Sequence, residues 1–498
     1  MWLFVLFFVA ICLYTYVPLW RWKNRPPGPF VFPMMGSLPS LGRADSMALE
    51  FPYRAMHRLS KQFGPIMSMA LGQDMWVVLT GLEEIKAFTM MDETVARPNL
   101  KSLYEIYSFD KPLGVIFPDG PLWKEQRKFM TRTLREFGLG KQTMEDHIQE
   151  EIKFSIQYLK RQATQDGNRV VPMQDFFNLP CLNVIWRLVC GRRFDYEDQR
   201  LAQLIEHMET FTMEQAIGPI AGISFLKYIP PFRQIYHKIK AQMDIFKGFL
   251  RQFVQDEKAS LPSDFDRGYI DSFLRAQAKG RVSGDYFTDE QLIIFVQDFF
   301  TGGSGTMSKT LAYAFLYMIN HPDAQTRARK EIESVLGDRD EVTLEDRPSL
   351  PFVEAIVMEV QRLSSVLPIA PPRIPTKDIW IGNHLIKKGT QVQINLYSLH
   401  RNETHWTDPE DFKPERFLDD HGQLKSHDEW LQPFGYGKRK CLGETVAKLT
   451  VLLFLANFLA TFRFSRIPET APLSVDPVGG LTIGPQKFSA QVEIIKKT

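Results

Sequence analysis

The stretch FFTGGSGTMSKT, Phe299 to Thr310, decides between two incompatible architectures for this chain. Gly303, four residues, then Ser308-Lys309-Thr310 falls one substitution short of GxxxxGK[ST], the pattern in which backbone N–H groups and a lysine cradle phosphates after a buried strand. The upstream segment TDEQLIIFVQDFF reads instead as a helix. Thr288 and Gln291 have capping-box spacing, and Leu292, Phe295, Val296 and Phe299 fall on one helical stripe. The glycines therefore interrupt a helix, and the second glycine of a phosphate loop is absent. Paired glycines beside a threonine allow a kink and the close approach of a flat ligand, because no Cβ intervenes. The expectation is a kinked helix over a cofactor, with a P-loop nucleotide-binding protein as the remaining alternative.

Long amphipathic stretches run from Trp123 to about Leu336, broken near Gly218-Pro219, Pro230-Pro231 and Leu261-Pro262. Strand signals are few: IMSMALGQDMWVVLT between Gly64-Pro65 and Gly81 predicts a hairpin, and IWIGNHLIKKGTQV around 379 to 392 predicts short strands. After Cys441 an apolar helical run extends to about Phe464. The reading is a mainly α body with little strand and no internal repeat. With 44% apolar and 12% aromatic residues, the chain can bury one large core. Its 60 basic and 58 acidic residues leave a net charge of +2, so no overall field favours nucleic acid, and none is expected as a partner. The four cysteines show neither paired metal spacing nor disulfide density, which favours a reducing compartment. Cys181 and Cys190, nine apart, would point to opposite faces of one helix.

Residues 2–20, WLFVLFFVAICLYTYVPLW, carry no charge and are long enough to span a bilayer. Arg21, Lys23 and Arg25 follow, with no basic residue ahead of the apolar run. By the positive-inside rule the body beyond should face the cytosol. A cleaved signal peptide is the alternative, but the run is long and lacks a basic start. The expected organisation is a transmembrane anchor at 2–20, a basic and proline-rich linker at 21–30, and a catalytic domain at 31–498. The apolar connector 211–232 between helices is a candidate second membrane contact or a buried loop.

The segment PFGYGKRKCLGE, Pro433 to Glu444, places Cys441 at the start of the helix beginning near LGETVAK. Free N–H groups there stabilise a thiolate, and a thiolate is a metal ligand. Gly437 and Gly443 permit a tight loop close to a macrocycle, while Arg439 offers its fork to a carboxylate. Glu359 and Arg362, at i and i+3 on a helix, share a face and can pair. His400 and His405 have loop spacing that favours surface or structural roles over metal binding.

With these residues the chain resembles the cytochrome P450 family of haem-thiolate monooxygenases over nearly its whole length. Phe434, Gly437, Arg439, Cys441 and Gly443 match its FxxGxRxCxG signature, Glu359 and Arg362 its ExxR, and Pro414 to Phe417 its PERF element. Trp123 and Arg127 match its WxxxR. The resemblance implies Cys441 as axial ligand of haem b, propionate contacts from Trp123, Arg127, Arg439 and Arg373, and a structural network of Glu359, Arg362 and Arg416. It also implies a helical body with a small β-rich lobe, O2 and NADPH as co-substrates, and NADPH-cytochrome P450 reductase, with cytochrome b5, as partners. The implied site is the endoplasmic reticulum membrane. Segments such as NVIWRLVCGRRF and HRNETHWTDPEDFKPERF are similar to the microsomal animal branch, and FGYGKRKCLGE resembles its insect members. The implied substrate pocket is apolar: Phe109, Leu113, Phe211, Gly302, Leu367 to Ala370 (Ile369 among them) and Leu481. A lipophilic substrate follows, whether hormone, sterol, terpenoid, fatty acid or xenobiotic.

One departure from the family pattern concerns proton supply. Where an acid usually precedes the threonine of the kink, this chain has Gly305 before Thr306. Thr306 remains to hydrogen-bond dioxygen, and Asp298, seven residues before Gly305 and on nearly the same helical face, is the expected alternative proton source. A haem-thiolate isomerase or dehydratase acting on a peroxide without O2 is the second alternative. Lys124, Lys128 and Arg132, at i, i+4 and i+8, together with Lys438 and Lys440, form an expected basic face for an acidic reductase.

Overall fold

The computed structural model describes Trp2, Tyr16 and residues 22–495, apart from 34, 49, 72–73, 139, 166–168, 281–285, 427 and 468–470. The expected anchor at 2–20 therefore lies almost wholly outside the described residues. Helices dominate. Those that build the site are α1 (Lys101–Tyr107), α2 (Gly120–Glu136), α3 (Asn178–Cys190), α4 (Gln199–Met213), α5 (Phe232–Ala259), α6 (Asp289–Phe299), α7 (Gly305–Asn320), α8 (Pro351–Ser364) and α9 (Glu444–Thr461). The proline pair at 230–231 lies immediately before α5, as the sequence predicts, whereas Gly218 and Pro219 fall inside a short helix, Ile217–Gly222.

The largest sheet has four strands, β1 (Ile66–Leu71), β2 (Asp74–Leu79), β3 (Ile369–Arg373) and β4 (Gln391–Asn395), in the order β1-β2-β4-β3. The expected hairpin is β1 and β2, paired antiparallel from Ile66 opposite Leu79 to Leu71 opposite Asp74. β2 and β4 are parallel, and β3 returns antiparallel with an irregularity between Ala370 and Arg373. That irregularity ends the strand on Arg373, which is buried. The apolar run after Cys441 changes from helix to strand at Phe462.

α9 is apolar on every side because it is surrounded by protein. It is long and apolar enough to cross a membrane, yet 67% of its span is buried inside the body, which makes it a core helix. Across it lies α7, whose residues from Leu311 to Met318 are all buried. Cys181 and Cys190 both lie on α3 and both are buried, since that helix is enclosed on both faces.

The opening stretch is a π-turn. Residues Phe300–Ser304 widen the helix between α6 and α7, and no strand precedes them. Such bulges insert one extra residue and turn the flanking side chains out of register. At Gly303 a Cβ would stand 2.9 Å from Ile185 Cγ1, so glycine lets the bulge close onto α3. At Gly302 and Gly305 a Cβ would meet nothing within 4 Å. The capping box forms by half: Thr288 accepts the Gln291 N–H at 3.1 Å, but the Gln291 amide turns to Gly114 instead. There it makes two hydrogen bonds, one more than the cap would provide.

Candidate functional site

Cys441 lies two residues before Gly443, the N-cap of α9, in a loop tightened by a short helical turn at Gly437–Arg439. Its backbone N–H donates to Phe434 O at 3.0 Å, which closes the loop. Gly437 has φ +69°, and a Cβ there would stand 2.2 Å from Thr89 O, so the turn needs glycine. Cys441 is accessible although it sits deep within the body, as a side chain facing an internal space does. Burial pushes its thiol up, and the Gly443 N–H, Arg127 and Lys440 act in the opposite direction. The helix terminus thus moderates the desolvation cost without reversing it. A metal ion would select the thiolate.

Beside this loop four guanidinium groups converge from four parts of the chain. Arg439 lies over the Trp123 ring, 3.8 Å from its centre, and Arg127 lies 5.6 Å from the same ring. Arg439 donates to Val95 O and Pro118 O, Arg127 to Lys440 O, and Arg97 to Ile116 O, Pro371 O and Pro372 O. Arg373 has a single bond, to Tyr436 O at 3.3 Å. Burial and mutual repulsion lower Arg439 to about 8, Arg97 to about 9 and Arg373 to about 10. Among the described residues, the carboxylate of Asp119 opposes this repulsion at Arg97 and Arg439. Arg373 Nε and Nη1, Arg439 Nη1 and Trp123 Nε1 are buried without a partner. Such a cluster fits a ligand carrying two carboxylates, and haem b carries two. Arg97 was not singled out in the sequence, since nothing in VARPNL ties it to a loop more than 300 residues away.

The frame behind the loop is ionic. Arg362 and Glu359 of α8 are fully buried and paired through two bonds, 2.7 and 2.8 Å. Arg416 and the Lys413 N–H both donate to Glu359 Oε1, at 3.0 and 2.9 Å, which ties α8 to the turn Pro414–Phe417. Arg362 also donates to His400 O and Pro409 O. His400 itself bonds Ser365 and the Gln432 N–H, and burial lowers it to about 3. His405 pairs with Asp428 at 2.8 Å. Both histidines are thus held by protein groups.

The cytochrome P450 family model matches residues 26–492. This chain belongs to the cytochrome P450 family. It is similar to a farnesoate epoxidase of Bombyx mori, with 30% identity over 96% of this chain and 97% of that protein. It is also similar to cytochrome P450 2J5 of Mus musculus, with 32% identity over 94% and 90%, and to cytochrome P450 2U1 of Homo sapiens, with 31% over 95% and 91%. Membership makes it a haem monooxygenase: haem b with thiolate ligation, O2, and NADPH-derived electrons from a reductase.

On the other side of the P450 site, Thr306 Oγ1 donates to Gly302 O at 2.8 Å, so its hydroxyl is held at the bulge. Gly302 is exposed in the middle of otherwise buried helices. Asp298 does not share this face. The bulge between them shifts the register, and its oxygens accept Tyr107 Oη at 2.8 Å and the N–H groups of Val115 and Ile116 at 2.5 and 3.2 Å. Burial pushes Asp298 up to about 7. Among the substrate candidates, Leu113, Leu367, Ile369 and Leu481 are half-buried, and Phe211 is buried against Tyr107. The Phe109 ring turns instead to Lys247 and Arg251 of α5, at 5.4 and 5.3 Å.

Lys124, Lys128 and Arg132 are exposed along α2 and line, with Trp123, Arg127 and Lys438, a groove of about 720 Å³. Lys438 contacts Asp92, and Lys440 pairs with Glu444 at 2.6 Å, so two of the expected basic residues are partly neutralised. Phe225, Tyr228 and Ile229 of the 211–232 connector are exposed.

Proposed function

We propose that this P450 is a microsomal enzyme that hydroxylates or epoxidises a lipophilic substrate, and that the Cys441 thiolate would hold the iron of its haem. The observation that carries this reading is the cluster of four arginines beside the accessible Cys441, two of which, Arg373 and Arg439, have buried N–H groups without a partner. Arg97, Arg127, Arg373, Arg439 and Trp123 would hold the haem carboxylates, and the Phe434 to Gly443 loop would hold the iron. The haem supplies oxygen activation and the insertion of one oxygen atom; donation from a thiolate favours O–O cleavage. Thr306 holds a hydroxyl at the bulge, and the open space at Gly305 accommodates a water in place of the usual acid. The Thr306 hydroxyl and such a water would together carry protons toward the haem face.

Leu113, Phe211, Gly302, Leu367, Ile369 and Leu481 form an apolar wall, and Phe109 backs it from outside. The silkworm relative acts on farnesoate, an isoprenoid acid, which makes chain-like terpenoids the first substrates to test. NADPH-cytochrome P450 reductase, and cytochrome b5, dock at the groove beside Lys124 and Lys128. The 2–20 segment anchors the body to the endoplasmic reticulum membrane, with the body facing the cytosol and the 225–229 residues touching the bilayer. Product formation from farnesoate or other lipophiles should require NADPH and reductase. Gly305 favours one rival, an isomerase of peroxides. Thr306→Ala should divert electrons to peroxide release and Gly305→Glu should not; equal turnover of a hydroperoxide without reductase would replace this reading with that rival.

A further inference from the structure

Lys309, the lysine of the near-match to a phosphate loop, lies one turn after Thr306 on α7 and is 7% exposed. A lysine at that depth is ordinarily paired with a carboxylate. Its Nζ donates instead to Thr482 Oγ1 at 2.8 Å and to Met213 Sδ at 3.1 Å. Both partners are neutral and a thioether is a weak acceptor, so the ammonium keeps donor capacity to spare. Burial lowers Lys309 to about 8, which leaves it charged at neutral pH, and Glu209 and Asp175 oppose that fall through their charge alone. Glu209 is engaged by Asn178 Nδ2 at 2.8 Å, and burial raises both carboxyls.

The surroundings are shaped to hold this side chain. Strands Pro477–Gly479 and Ile483–Pro485 pair antiparallel as a hairpin with Leu481 and Thr482 at its tip. A Cβ on Gly484 would stand 3.2 Å from Lys309 Cγ and 3.3 Å from its Cδ, so glycine leaves a track for the stem. Gly479 has φ +135°, and a Cβ there would stand 3.1 Å from Met213 Sδ. Glycine thus lets the hairpin close on the end of α4, where the Leu481 and Thr482 N–H groups both donate to Thr212 O, at 2.9 and 3.4 Å. The Lys309 head therefore sits where three parts of the apolar wall meet: the end of α4 just past Phe211, the hairpin tip with Leu481, and α7 beyond Thr306. A methionine would fill the same track without desolvating a charge. What the ammonium adds is the capacity to bind an anion.

We propose that Lys309 is a specificity-determining residue that binds the carboxylate of the substrate, so that the pocket takes lipophilic carboxylic acids in preference to their neutral esters. The inference rests on the proposed function for the identity of the pocket. One ammonium matches one negative charge, and the carboxyls of Glu209 and Asp175 nearby disfavour a doubly charged phosphate head. The tail of such an acid would lie along the wall that begins at Phe211 and Leu481.

The test uses the full-length holoenzyme with two matched pairs, dodecanoate and methyl dodecanoate, farnesoate and methyl farnesoate, and with dodecyl phosphate. Binding is read by titration calorimetry and by the shift of the haem spectrum. In the parent each acid should bind about tenfold or more tighter than its ester, the worth of a charge-assisted hydrogen bond. Lys309→Met should abolish that preference while ester affinity stays within about twofold, and the ligand-free variant should resist urea better than the parent because a buried charge is gone. Thr482→Val, which keeps the ammonium, should retain the preference. Esters binding as tightly as acids in the parent, a preference that survives Lys309→Met, equal weakening of acid and ester, or tighter binding of dodecyl phosphate than of dodecanoate would overturn the assignment. A parent protein lacking the thiolate-haem spectrum would overturn the proposed function instead, and the calorimetric comparison, which needs no haem signal, would still decide the role of Lys309.

Discussion

Replacing Arg373 by methionine should move the stability of the cofactor-free protein and its hold on haem in opposite directions. Arg373 is 4% exposed, makes one long hydrogen bond, and leaves Nε and Nη1 unpartnered. Burial, then repulsion from Arg127, lowers it to about 10. A cation whose folded pKa is depressed destabilises the fold at every pH below that value, and a fall of this size corresponds to about 3 kcal/mol. Methionine fills similar volume without charge, so the apoprotein should gain up to that amount, less about 1 kcal/mol for the lost hydrogen bond. The holoprotein should lose a charge-assisted contact to a haem carboxylate, about 1.5–3 kcal/mol, or roughly 10- to 150-fold in affinity. Urea unfolding of the apoprotein and haem transfer to a scavenger globin read the two terms separately. A less stable apoprotein with unchanged haem retention would refute the reasoning, because Arg373 would then be a structural residue and no anion site.

Glu359→Gln leaves Arg362 and Arg416 as buried charges without their carboxylate, so unfolding should be easier by about 3–5 kcal/mol in denaturant titration, and little holoprotein should accumulate. Asp298 has its carboxyl raised to about 7 by burial, so the folded state binds that proton more tightly than the unfolded chain does. Its contribution to stability is present in acid and is lost as pH rises from the ordinary carboxylate range through about 7; Asp298→Asn should flatten this part of the urea-stability profile between pH 5 and 8. Reversing Lys124 and Lys128 to glutamate should slow reduction by the reductase at low ionic strength and much less at high, by stopped-flow. Both residues are exposed, so the effect acts on encounter and is screened by salt.

The parts legible in the sequence are those set by short spacing. Glu359 and Arg362 share a helix turn, and the glycines of Phe434 to Gly443 act within one loop. The interrupted helix was also legible, because Thr288 and the apolar stripe ahead of Gly302 leave no room for a strand. What escaped depends on distant segments. Arg97 reaches Pro371 and Pro372 across more than 270 residues, and Gln291 leaves its cap to hold Gly114, 177 residues away. Asp298 illustrates a subtler limit. Counting at 3.6 residues per turn places it near the face of Gly305, but the π-turn between them changes the count, and Tyr107, Val115 and Ile116 take its oxygens.

The central claim is that Cys441 binds haem iron as a thiolate inside the arginine-lined site. The most direct measurement is the carbon monoxide spectrum of the reduced protein, taken for the parent chain and for Cys441→Ser at matched haem content. The parent should show the red-shifted Soret band of a thiolate-ligated haem, and Cys441→Ser should lose it while Arg97, Arg127, Arg373 and Arg439 still retain some haem. A thiolate spectrum that survives in Cys441→Ser would contradict the account.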